Sequence, residues 1–448
     1  MANPPHCTGV IMNEMILLFC LAAVFLAIFL GRRTGLNTGL YAVALAYVIG
    51  NFFLDIPVSK LVGHFSVKIL FLLMSVSLFY GYASENGTLE ALANRIIYRF
   101  RHRTALLPFL LYLVCFGISC FGAAAPVVVS LMGPVCYAIS AQTGIAPIVM
   151  SALIVWGAGA GGCVPWSSAG AVLCGLISES EYAAYGVRLS LTASLNFFLG
   201  GFLCLTVLYL LTGSFRARHL EMVPPKALSQ PQRLTLWIML SALGLLVLPG
   251  IIQLFLPNPL TAFLSAHLDL QMLCIIGSIA CGLFKLGDGR RILSHHVPWN
   301  VILTVCGISM LLGVAADAGA MDLVTGALGS GVSQGMIALG FILIGGFLSF
   351  FTGGVTVVIP MLVPIALSVC SVRGGNLALL VSSATLGGLV TAISPFSTGG
   401  SLAVSAMPEE ALRGKLINQQ ILVALLGWSV FALLAVTGLF GIWNHHLT

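Results

Sequence analysis

The sequence predicts an all-α polytopic membrane protein built from two inverted repeats, each with five crossing helices and one re-entrant hairpin. Three observations carry this reading. Hydrophobic residues make up 59% of the 448 and charged residues only 7%, against the quarter or so that is charged in a soluble domain. Apolar segments of about 20 residues, the length that crosses a hydrocarbon core, recur along the chain. A shift of 230 positions superposes Gly, Pro and Ser of one interrupted apolar region on those of another.

Uninterrupted spans fall at 13–31, 36–56, 65–85, 187–213, 234–256, 269–285, 298–318 and 412–443. The first has no Lys or Arg before it and therefore reads as a retained helix, not a cleaved leader. The regions 104–178 and 334–406 are apolar but broken twice each by Gly, Pro, Ser and Thr, as expected for a hairpin followed by one broken crossing helix. With the N-terminus outside, the inside loops hold 15 of the 19 Lys and Arg residues, in line with the positive-inside rule. The net charge of +6 thus reflects orientation and offers no sign of a nucleic-acid partner. The same topology leaves the C-terminus outside. Twelve cysteines, mostly within apolar spans and without paired spacing, read as small packing residues.

The repeat sets Ser119 on Ser349, Phe121 on Phe351, Pro134 on Pro364, Gly157 on Gly387, Pro165 on Pro395, Ser167 on Ser397 and Gly170 on Gly400. Upstream, a shift of 232 sets GYASENGTLE at 81–90 on GVAADAGAMD at 313–322. Five crossings and one hairpin per half invert the second copy, the pattern of secondary transporters.

GAGAGGCVPWSSAG at 157–170 and GGLVTAISPFSTGG at 387–400 are then breaks in two crossing helices. Irregular backbone is tolerated at membrane depth only inside protein or beside a water-filled cavity. Pro165 and Pro395 interrupt the helical hydrogen-bond ladder, and Ser167, Ser168, Ser394, Ser397 and Thr398 supply hydroxyls. The hairpin tips, FGAAAP at 121–126 and FTGGVT at 351–356, should point to the same place. Because the proposed crossing helices carry no central Lys or Arg, an anion would be held by hydroxyls, backbone N–H groups, the positive ends of half-helices and a co-bound cation. A small carboxylate moving with Na⁺ or H⁺ fits this chemistry, and residue types alone leave a neutral or cationic solute open.

SENGTLEAL at 84–92, GAAAPVVVSLMGPV at 122–135, GAGAGGCVPWSSAG and AISPFSTGGSLAVSA at 392–406 resemble the ion transporter superfamily, in particular malonate-carrier-type dicarboxylate permeases related to the divalent anion:sodium symporters. In sodium-coupled relatives each hairpin tip carries Ser-Asn-Thr. Here Ala124-Ala125-Pro126 and Gly354-Val355-Thr356 stand at those positions, so that Thr356 alone keeps the family residue, and the weight moves to the broken helices. The resemblance implies a secondary active carrier for a small dicarboxylate in the bacterial inner membrane, working as a homodimer by an elevator motion, with membrane lipid as its other partner and no cofactor beyond the co-transported ion. It divides the chain into a first repeat at 13–213 (scaffold 13–103, transport part 104–213), a cytoplasmic linker at 214–233 and a second repeat at 234–443 (scaffold 234–331, transport part 332–443). Substrate contacts are expected from both tips and from Pro165, Ser167, Ser168, Ser394, Pro395, Ser397 and Thr398, and cation contacts from Ser119, Gly162, Ser349 and Thr391. Citrate, a hydroxyacid or arsenite are alternative cargoes.

Several features have ordinary explanations too. Ser119 and Ser349 suit close helix packing equally well. Glu85 and Asp317, equivalent in the repeats, could relay protons or be hydrated caps of the next helix. His295 and His296 read as solvated. Trp166 and Phe396 either line the cavity or pack beneath it, and the amphipathic stretches at 86–103 and 319–331 are interfacial arms or plain connectors. An enzyme would need a nucleophile, acid pair or metal cluster, and the sequence has no HExxH, no paired aspartates within a crossing helix and no nucleotide loop; a channel, which also uses broken helices, would show conductance in place of saturable uptake.

Overall fold

The computed structural model describes residues 33–101, 103–216, 224–255, 258–318 and 332–446, with parts of 22–31. Most of the expected first span, part of the 214–233 linker and the whole of the expected arm at 319–331 lie outside these residues. Every described element is helical. Seven helices among the described residues are long and apolar enough to cross a membrane, or eight if a pair bent by 49° between His296 and Trp299 is one span. The chain is therefore an integral membrane protein.

The first half begins with α1 (Thr38–Tyr47), which runs on through a π-helical turn, the short α2 (Val58–Gly63) and α3 (Val67–Glu85). Asn37 opens α1, its Oδ1 accepting from Gly39 N at 2.7 Å, as polar N-caps do for the otherwise unpaired N–H groups of a first turn. At Asn86-Gly87-Thr88 the chain turns: Gly87 takes φ +71°, and Asn86 Oδ1 accepts from Thr88 N at 3.1 Å. The amphipathic stretch at 86–103 is mostly the helix α4 (Thr88–Phe100) that follows this turn.

A hairpin of α5 (Leu107–Cys120) and α6 (Ala125–Thr143) comes next, then the broken helix α7 (Pro147–Gly162) and α8 (Ser168–Ser178), then the long α9 (Gly186–Leu211). The second half repeats this series. It runs through α10 (Gln230–Phe255), α11 (Pro259–His267), α12 (Leu270–Leu283) and α13 (Trp299–Asp317). The second hairpin joins α14 (Gln334–Phe351) through a π-helical turn at Gly354–Val358 to α15 (Ile359–Arg373). The second broken helix is α16 (Leu377–Val390) with α17 (Thr398–Ser405), and α18 (Glu410–Val436) closes the fold.

Glycines that the sequence shift paired do the same work in both halves. A Cβ on Gly157 of α7 would lie 2.8 Å from Tyr112 O of α5, and one on Gly387 of α16 would lie 2.7 Å from Phe341 O of α14. Each hairpin can thus press its first helix against the broken helix behind it. The two broken helices meet where Trp156 Nε1 donates to Val390 O at 3.0 Å. An apolar window within residues 377–405 is 94% buried in protein, which is the condition for breaking a helix at membrane depth.

Helices α1 and α13 approach as closely as their backbones allow. A Cβ on Gly39 would fall 2.0 Å from Leu303 O, and one on Gly307 2.3 Å from Gly39 O. Asn37 Nδ2 also donates to Asn300 O at 2.8 Å, which fixes the two helix starts side by side. Gly39→Ala is expected to destabilise the protein by about 1–3 kcal/mol, the usual cost of overpacking a closed contact, read as a lower apparent Tm of purified protein.

Candidate functional site

The second break builds the site. After α16 ends, a 3₁₀ turn over Thr391–Ile393 leads to Ser397, whose Oγ donates to Ala392 O at 2.5 Å and accepts from Gly400 N at 3.3 Å. A serine here both ties off the turn and caps α17. The hairpin tip lies beside it. Ser349 Oγ donates to Gly388 O at 2.6 Å, Thr391 Oγ1 to Gly346 O at 2.8 Å, and Thr356 Oγ1 to Gly353 O at 3.0 Å.

Between this tip, the start of α17 and helices α1 and α13 lies a cavity of about 530 Å³. It is lined by Thr352, Gly353 and Thr356 of the hairpin, Phe396, Ser397, Thr398 and Ser401 of the break, and Asn37, Thr38, Asn300 and Thr304 of α1 and α13. Phe351 and Phe396 also line it, their rings stacked with centroids 6.1 Å apart. Four helical segments begin at its wall: α1 at Thr38, α13 at Trp299, the hairpin's second limb at Gly354 and α17 at Thr398. A helix start carries a partial positive charge, so the starts at Thr38 and Thr398 in the lining favour an anion there, and no Lys or Arg is among the described lining residues.

Of the residues expected from sequence to touch substrate, Thr356, Ser397 and Thr398 are brought together here, and Gly354 and Val355 continue the same tip behind them. Ser394 is buried behind the wall, its Oγ accepting from Phe396 N at 3.2 Å, with Pro395 next in the chain. The first-half counterparts are elsewhere. Ser167 is fully buried and donates to Ser119 O at 2.7 Å, binding the first break to its hairpin, while Pro165 is buried and Ser168 half-buried in that break. Ala124, Ala125 and Pro126 start α6 away from the cavity. Of the residues expected to meet a cation, Ser119 donates to Ala123 O at 3.0 Å, Gly162 lies against Ser119 Oγ, and Ser349 and Thr391 make the contacts given above. All four are buried.

Phe396 lines the cavity, whereas Trp166 braces the other hairpin by donating from Nε1 to Cys120 O at 2.9 Å. Sequence reasoning missed the scaffold wall. The helix-start signal of Asn37-Thr38 after Gly35 could have marked α1, but only folding brings it to Asn300 and Thr304.

The halves differ where they meet the scaffold. Helix α3 packs on α8, whereas the corresponding pair, α13 and α17, stands on opposite walls of the cavity. This difference is what opens the space.

Taken together, an all-helical bundle of apolar spans with two hairpins, two buried broken helices and a polar cavity at one break has the construction of a membrane transporter. Residues 12–162 match the family model described as "Dicarboxylate carrier protein MatC N-terminus". Among solved structures, the fold is similar to the Alcanivorax borkumensis YdaH transporter, with a TM-score of 0.57 and 15% identity over 95% of this chain and 98% of that one. It is also similar to Neisseria gonorrhoeae MtrF, which is described among antimetabolite efflux pumps, with a TM-score of 0.54 and 13% identity over 95% and 94%. A search of curated proteins gives no match.

Proposed function

We propose that the chain is a secondary active carrier for a small dicarboxylate, coupled to Na⁺ or H⁺, whose cargo sits in the 530 Å³ cavity. The observation that carries this reading is that the starts of α1 and α17 and residues Thr356, Ser397 and Thr398 line one cavity, with no basic side chain among its described lining residues. Such a wall offers positive helix ends to carboxylates, with the Thr398 hydroxyl beside them and the Thr356 hydroxyl free to turn from Gly353 O to a bound anion, while leaving release cheap. The match of residues 12–162 to a dicarboxylate carrier model supports the choice of anion. Alternating access follows from the repeat: as an inverted pair, the halves would exchange their contacts, α17 closing on α13 while α8 leaves α3, in an elevator motion of hairpins and broken helices against the scaffold. We read the assembly as a homodimer in a bacterial inner membrane, with both termini outside.

The test is uptake of labelled malonate, succinate and citrate into proteoliposomes, under a sodium gradient and separately under a proton gradient. Saturable uptake of a dicarboxylate is expected. Thr356→Val with Thr398→Val, which keeps shape and removes two hydroxyls, is expected to raise KM about tenfold or more, since a hydrogen bond to a charged group contributes about 1.5–3 kcal/mol. Saturable uptake with an unchanged KM in the double variant would remove the cavity assignment.

A further inference from the structure

Outside the cavity lie two polar sets whose histidine, glycine and carboxylate occupy equivalent positions, each with a basic side chain beside it. His64 Nε2 lies 2.9 Å from Asp317 Oδ2, with Lys60 Nζ 3.0 Å from the same oxygen. His296 Nε2 lies 2.9 Å from Glu85 Oε2, with Arg291 Nε 3.4 Å from the other carboxylate oxygen. In both sets the imidazole rests on a glycine one helical turn before the carboxylate. A Cβ on Gly313 would sit 2.4 Å from His64 Cγ, and one on Gly81 3.1 Å from His296 Cβ. His64 and His296, Gly81 and Gly313, Glu85 and Asp317 are each 232 positions apart, the shift that aligns the sequences around them.

The pairing is crossed between halves. His64 precedes α3 and meets the last residue of α13; His296 precedes α13 and meets the last residue of α3. The antiparallel helices are thus fastened at both ends by imidazole–carboxylate contacts, and the carboxylates stand just before α4 and before the sequence of the second expected arm. His64 also lines a second cavity of about 590 Å³, which gives water a path to that imidazole. A solvated reading of His296 does not hold, because its ring is held between Gly81 and Glu85.

We propose that these sets are two proton-binding clasps, tight when the imidazole is charged and looser when it is neutral, that hold α3 to α13. Histidine is the side chain whose ordinary titration lies between pH 5 and 8, and a charged imidazole binds a carboxylate more strongly than a neutral one. The first imidazole faces Asp317 of α13 and Lys60 of its own helix, with Glu179, Glu181 and Tyr182 around the shared cavity. The second faces Glu85 of α3, with Arg290, Arg291 and His295 on its own turn, Asp288 capping that turn and Tyr82 of α3 against Gly287 and Gly289. Lys60 and Arg291 keep each carboxylate partnered at high pH. Raising the pH therefore weakens the clasps without emptying them.

The sign follows from the contacts: an ion pair between imidazolium and carboxylate is stronger than the neutral contact, so the coupling is expected to be larger at low pH. A double-mutant cycle on the purified full-length protein tests this by apparent Tm at about pH 5.5 and about pH 8.5, on either side of the histidine titration. At the lower pH, His64→Gln and Asp317→Asn are each expected to lower Tm by several degrees, the double variant falling no further than the larger single loss. At the higher pH the coupling is expected to shrink at least twofold. His64→Lys, which keeps a cation at both pH values, is expected to retain coupling to Asp317 at both. Additive losses, or coupling of equal size at the two pH values, would overturn the proposal. Should the His64 variants fail to fold, the Glu85→Gln and His296→Gln cycle reads the second clasp by the same criteria, independently of any transport assay.

Discussion

Gly354→Ala is expected to cost about 3 kcal/mol or more and to leave little protein able to bind cargo. A Cβ at this position would lie 1.5 Å from Gly388 O and 2.5 Å from Gly388 C. Both are backbone atoms of a helix packed on all sides, so no side chain can swing away to make room. The tip would have to lift from α16, which breaks the Ser349 hydrogen bond to Gly388 O and leaves a buried hydroxyl and carbonyl unpaired, itself a cost of about 1–3 kcal/mol. Gly340→Ala on the same hairpin is the control, because a Cβ there meets nothing within 4 Å; an unchanged or slightly higher apparent Tm is expected, since alanine favours a helix over glycine. Size-exclusion yield and apparent Tm of the two variants give the comparison. A Gly354→Ala protein as stable as Gly340→Ala would show that the tip does not dock as described.

The second large effect is at the breaks. Gly170 and Gly400 occupy the first turn of α8 and α17, and a Cβ would lie 1.9 Å from Val164 O in one and 2.0 Å from Ser394 O in the other. Alanine at either position is expected to destabilise by about 1–3 kcal/mol, because the helix start must pull away from the turn that feeds it. Their functional consequences should differ. Gly400→Ala shifts Ser397 and Thr398 at the cavity wall and is expected to raise KM for the transported anion in the protein that folds, whereas Gly170→Ala acts at a break buried away from the cavity and is expected to lower the folded yield with KM unchanged. Equal KM values in the two variants would mean that the α17 start does not hold the cargo.

How far the sequence reached is clearest at particular residues. Composition and span length dictate a polytopic helical protein, because a chain this apolar can satisfy its backbone in lipid only by helices or closed barrels, and the spans have helical length. The two breaks were legible because Gly-rich segments with Pro165 and Pro395 cannot continue a helix. Within them, Ser397 and Thr398 could be chosen as cavity residues, but Ser167 could not be told apart from Ser397, since the two are identical in type and equivalent in the repeat. The structure separates them by position: both hydroxyls donate to a backbone carbonyl, Ser397 to Ala392 O and Ser167 to Ser119 O, but only Ser397 borders the cavity.

Hydropathy and backbone preference act over neighbouring residues, so the places where helices run and break could be read along the chain. Which of two equivalent breaks borders a cavity, that Asn37, Asn300 and Thr304 complete its wall, and that His64 and His296 cross over to carboxylates of the opposite half could not. Those contacts join positions more than two hundred residues apart. No local preference encodes them, because they depend on how close two helices approach, and that distance is set by Gly39, Gly307, Gly313 and their packing partners across the bundle.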